Sequence, residues 1–65
     1  MNATAADRDY VSIGALAATL QQSVRSIERA AQKLGIVPAM RLNSVPHFDA
    51  NQVERLTAMF RDEKP

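Results

Sequence analysis

Two apolar stripes separated by three polar residues constrain this chain more than anything else in it. Ile13, Leu16, Ala17 and Leu20 recur at the spacing that lines one face of an α-helix, and Ile27, Ala30, Ala31 and Leu34 repeat it. Between them lie only Gln21, Gln22 and Ser23. That leaves room for a tight turn and nothing more, so the stretch from Ile13 to Leu34 predicts a helix-turn-helix. Ser12 and Ser23 stand where each helix needs a side-chain oxygen to accept from an otherwise orphaned N–H. Gly35 supplies a left-handed C-cap for the second helix, and Pro38 blocks its continuation. With the stripe buried, the second helix turns Arg25, Ser26, Arg29, Gln32 and Lys33 outward.

The remainder reads as support for that pair. Tyr10 and Val11 form a short extended lead-in that can cover the core. Val37 to Phe48 predicts a short hairpin turning at Asn43 and Ser44, with Met40, Leu42 and Phe48 as inward candidates. Pro46 has no N–H to give to a ladder, which predicts that its arm is an edge or irregular. Asp49 followed by Gln52 is a capping-box pattern, and Val53, Leu56 and Phe60, with Met59 beside them, make the stripe of a last helix. The expected class is mainly α: three helices with a short β-hairpin wing. Residues 10–61 form the domain, 1–9 a disordered tail and 62–65 a frayed end.

The chain has 65 residues, which allows one domain with a small core. It contains no cysteine, hence no disulfide framework and no thiolate metal site. Its single histidine, His47, has no second histidine to complete a zinc site, and no metal or other cofactor is expected. Ser44, His47 and Asp49 are the residue types of a hydrolytic triad. They crowd one short segment of a chain with little room for a pocket, and a triad is defined by geometry, so no catalytic role is assigned. No apolar run approaches the roughly 20 residues needed to cross a bilayer, and no basic region followed by an apolar run marks a signal peptide. The expected location is cytoplasmic and nucleoid-associated, without a membrane partner or a small-molecule effector.

The formal net charge is only +1, and its distribution carries more information than its sum. Residues 10–48 hold Arg25, Arg29, Lys33 and Arg41 against Glu28 alone, whereas each end of the chain is slightly acidic. A local basic patch is what a polyanion reads. Successive helical residues are about 100° apart, which puts Arg25 and Arg29 within roughly 40° of each other, with Ser26 and Lys33 on the same broad side. Arginine pairs bidentately with guanine in the major groove, and serine takes varied partners. Ser23 and the first amides of this helix suit a phosphate. On the hairpin, Arg41, Asn43, Ser44 and His47 are candidates for phosphate or minor-groove contact, with Arg41 foremost. The candidate DNA-binding set is therefore Ser23, Arg25, Ser26, Arg29, Lys33, Arg41, Asn43 and His47. The rival class is a protein-interaction module that docks the same basic face on an acidic partner.

The order of parts resembles a known family. The stretch YVSIGALAATLQQSVRSIERAAQKLGI is similar to the helix-turn-helix of MerR-type regulators and excisionase-like proteins, and HFDANQVERL to the aromatic residue, acidic cap and helix that follow their wing. Leu16, Ala17, Leu20, Ser23, Ile27, Gly35, Phe48, Asp49, Val53 and Leu56 carry the likeness, which spans about Tyr10 to Phe60. It implies a winged helix-turn-helix whose second helix enters the major groove with Ser23, Arg25, Ser26 and Arg29. It also implies a wing that touches DNA through Arg41, Asn43 and His47. Double-stranded DNA is the implied partner, alongside an integrase or further copies of the chain on repeated sites. The implied role is that of a transcriptional regulator or a recombination accessory factor. The chain departs from the family at Gln21 and Gln22, where glycine and an aliphatic residue are usual, and at Val45 and Pro46, where glycine and arginine are frequent.

Overall fold

The structure is a computed structural model that describes residues 10–62. The tail expected at 1–9 and residues 63–65 of the expected frayed end lie outside the described residues. Three helices and a three-stranded antiparallel sheet follow one another as β1 (Val11–Ser12), α1 (Ile13–Leu20), α2 (Val24–Leu34), β2 (Met40–Leu42), β3 (Val45–Phe48) and α3 (Ala50–Asp62).

Each helix starts where a side chain can cap it. The Ser12 hydroxyl accepts from the N–H of Ala15 at 3.1 Å, and the Ser23 hydroxyl accepts from the N–H of Ser26 at 3.1 Å. At α3 the cap is reciprocal. Asp49 Oδ1 accepts from the Gln52 amide at 2.8 Å, while the Asp49 amide donates to Gln52 Oε1 at 3.0 Å. Gln52 Nε2 also donates to the carbonyl of Val37 in the segment after α2. One glutamine thus ties the start of α3 to a loop fifteen residues earlier. The last helix runs one residue past the expected limit of 61, through Asp62.

Both α1 and α2 end in the same closing motif. The residue after each helix takes a left-handed conformation, and the next amide reaches back five residues: Gln22 to Ala17 O and Ile36 to Ala31 O, each at 2.8 Å. Gly35 meets this need without steric cost at φ 69°. Gln21 meets it at φ 56°, a conformation that costs a side-chain-bearing residue about 1 kcal/mol. The turn expected at Gln21 to Ser23 is therefore present and tight, although its left-handed position holds glutamine.

The largest fully buried side chains are Leu16, Ile27, Phe48 and Leu56, one from each helix and one from β3. Ala17, Ala30 and Ala31 are buried with them, and these small side chains let α1 and α2 approach closely. Ile36, placed by the turn at Gly35, completes the core beneath the loop.

The sheet differs from the expected hairpin in three respects. First, the lead-in is a strand: Val11 pairs with Phe48 and Ser12 with His47, which makes β3 the central strand in the order β1-β3-β2. Second, Pro46 therefore lies in the central strand, not in an edge arm. The two-residue turn makes Leu42 and Val45 a hydrogen-bonded pair, so the next pair, Arg41 and Pro46, is not hydrogen-bonded. The proline nitrogen points away from β2 toward a side where β1 reaches only His47 and Phe48, and no ladder bond is lost. Third, neither Met40 nor Leu42 turns inward with Phe48 as expected, and Leu42 is 50 % exposed. The register pairs Met40 with His47 and Leu42 with Val45, so Met40 and Leu42 share the face opposite Phe48. Asn43 and Ser44, at φ 51° and 68°, form the turn whose twist suits a hairpin.

Candidate nucleic-acid interface

The outward surface of α2 is set by what its other side buries. Taking Ile27 as the innermost direction, Arg25 and Arg29 project within about 20° of the opposite direction, and Gln32 within about 40°. Arg25, Arg29, Gln32 and Lys33 are all exposed. Among the described residues, no hydrogen bond engages Arg25, Arg29, Lys33 or Arg41. The cationic row is exposed, on the side of α2 opposite the buried Ile27.

The N-terminus of α2 is half satisfied from within. The Ser23 hydroxyl accepts from Ser26 N and donates to Ser26 Oγ at 3.1 Å, while the Ile27 amide bonds to Ser23 O. Among the described residues the amides of Val24 and Arg25 have no acceptor, and the positive end of the helix dipole lies behind them. Ser23 is exposed and Ser26 half-buried, and their hydroxyls are committed first to each other. Of the expected phosphate cradle, the backbone amides are its available part.

The hairpin divides its candidates between two faces. Arg41 lies opposite Pro46, on the same face as Phe48, and looks toward α2. It lines a cleft between helix and hairpin together with Glu28 and Gln32. Asn43 is exposed at the turn. His47 lies on the other face, half-buried, with Nδ1 donating to the carbonyl of Val45 at 2.8 Å. The structure therefore brings Arg41 to the Glu28 and Gln32 flank of α2, beside the arginine row and not onto it, and does not bring His47 there. Alternation across a two-residue turn forces this, because Arg41 and His47 cannot share a face when Arg41 pairs with Pro46. Glu28 and Gln32 are the cleft residues that the candidate set lacks. Their signal was their spacing, one helical turn apart on the flank that a following hairpin must approach.

Near the turn, Asp49 accepts from the Gln52 amide and His47 bonds within its own strand. No helix among the described residues is long and apolar enough to cross a membrane. Comparison with protein-family models, with curated proteins and with solved structures yields no match.

Proposed function

We propose that this chain is a small winged helix-turn-helix module that binds double-stranded DNA with sequence preference. In this reading it serves as a transcriptional regulator or as an excisionase-like accessory factor in recombination. The observation that carries the reading is the row of Arg25 and Arg29, opposite the buried Ile27, exposed and without a hydrogen-bond partner among the described residues. In a major groove such a row can donate bidentately to guanine O6 and N7. The open amides of Val24 and Arg25 suit a phosphate at the groove's edge. Arg41, on the hairpin face turned toward α2, suits the adjoining backbone, and Asn43 at the turn lies farthest out. Ser23 and Ser26 contribute mainly by fixing the helix start, and Lys33 adds charge one turn beyond Arg29. His47 has the smallest part, since its ring is turned to its own strand.

A single module of this size buries limited area, so useful specificity calls for copies side by side on repeated sites or for a second DNA-bound protein such as an integrase. In this reading the protein resides with the chromosome.

Titration of the chain with duplex DNA at several salt concentrations tests the proposal. Binding should weaken as salt rises, with a log–log slope of roughly −2 to −4, as expected for two to four phosphates neutralised. Absence of duplex affinity at low salt would overturn the reading and leave the basic face to an acidic protein partner.

A further inference from the structure

Glu28 is the single acidic residue between Tyr10 and Phe48, a stretch that holds four of the chain's eight lysines and arginines. It is exposed, and it hydrogen-bonds to no other described residue. It sits about 60° around the helix from Arg25, on the flank that lines the cleft with Gln32 and Arg41. Folding gives it little to do. Ser23 already caps α2, and Glu28 lies beyond the first turn, where the helix dipole favours an acid. A carboxylate set among cations on a face turned toward a polyanion weakens docking unless it finds a donor.

The major groove restricts where that donor can be. A carboxylate only accepts hydrogen bonds, and of the base edges in the groove only the exocyclic amino groups of cytosine and adenine donate. Guanine O6 and N7 and thymine O4 would set acceptor against acceptor. We infer that Glu28 is a specificity-determining residue that accepts from cytosine N4 and, by its charge, penalises docking on duplexes that present no such group there. This rests on the DNA-binding reading above. Arg25 and Arg29 supply attraction and guanine contacts, and Glu28 makes the attraction conditional on sequence.

Selection of bound sequences from a random duplex pool, run in parallel with titration on unselected duplex, tests the inference. The proteins compared are the wild type, Glu28→Ala, Glu28→Gln and Arg41→Ala, each first shown by thermal melting to be folded. Glu28→Ala should bind unselected duplex about three- to tenfold more tightly and lose a cytosine preference at one position, while Glu28→Gln should move that position toward adenine, which glutamine reads bidentately. Arg41→Ala should weaken every duplex alike and leave all preferences in place. Tighter binding by Glu28→Ala with selected sequences identical to the wild type would reduce Glu28 to a plain repulsive charge and overturn the inference, with the DNA-binding reading intact. Failure of all four proteins to bind duplex at low salt would remove both.

Discussion

The outer faces of α2 and α3 draw on the same residue types in different balance. On α2, Arg25, Arg29 and Lys33 outnumber Glu28, and their head groups stand free among the described residues. On α3, Glu54 and Arg61 line one shallow groove together, and the Arg55 guanidinium reaches the last carbonyl of α2, Leu34 O, in a long 3.5 Å contact. A cation placed at the negative end of a helix supports the fold and is no longer free for a partner. The inner faces differ as well. Leu56 of α3 is fully buried, with Val53, Met59 and Phe60 packed around it at the core's edge, whereas α2 closes on α1 through small alanines. Arg61, exposed and without a hydrogen bond among the described residues, is as free as Arg25 and Arg29, so the difference between the two faces rests on Arg55 and on the one-sided charge of α2. The outer face of α2 stands exposed, and α3 clamps the core through Leu56.

The sharpest way to break that division is to remove the clamp. Leu56→Ala should cost about 2–5 kcal/mol. For a 65-residue domain the total stability is on the order of 3–10 kcal/mol, so a chemical denaturation curve should show a large loss of folded protein. A cost below about 1 kcal/mol would mean that α3 is not the clamp. Next in size is the partner effect. Arg25→Glu or Arg29→Glu should lower affinity for a selected duplex about 10- to 100-fold, while Arg61→Glu changes it less than about twofold, with all three proteins melting together within about 0.5 kcal/mol. Equal losses at the three positions would erase the distinction between the faces.

The caps refine the contrast at a smaller scale. Gln52→Ala removes half of a capping box and the tie to Val37, and should cost about 1–2 kcal/mol; Ser23→Ala removes a simple cap and should cost about 0.5–1.5 kcal/mol. Thermal melts of the two variants should rank in that order, and the reverse ranking would make α2 the better-anchored helix. Smallest is Arg55→Ala, expected to cost at most about 0.5 kcal/mol and to leave duplex affinity untouched. A loss of affinity there would bring α3 into the proposed interface.

The parts of this architecture that were legible in the sequence are those decided within a few residues. Ser12, Ser23, Asp49 with Gln52, and Gly35 each act on amides or carbonyls three to five positions away, and the stripes of α1 and α2 need only helical periodicity. What escaped depends on pairing between distant segments. That Val11 and Ser12 become a strand is set by Phe48 and His47, more than thirty residues later. Pro46 reads as an edge residue until it is known that β1 stops short of it. The outward face of Met40 and Leu42 is within reach of the sequence, because a two-residue turn at Asn43 and Ser44 fixes Leu42 against Val45 and sets both strands' alternate residues opposite to Phe48. The arginine row of the candidate site was legible from helical geometry alone. The faces taken by Arg41 and His47 required the strand register.

The double role of Gln52 has a dynamic consequence. Its backbone amide and Oε1 close the cap with Asp49, while its Nε2 joins the first turn of α3 to Val37, next to the buried Ile36. Fraying of α3 from its beginning must therefore release that link as well, and both segments open as one cooperative unit. Amide hydrogen exchange should show Ile36 and the first protected amides of α3 moving to a common, lower opening free energy in Gln52→Ala. A displacement at the tail of α2 would then reach the start of α3 through the Gln52 side chain, alongside the longer Arg55 contact at Leu34 O.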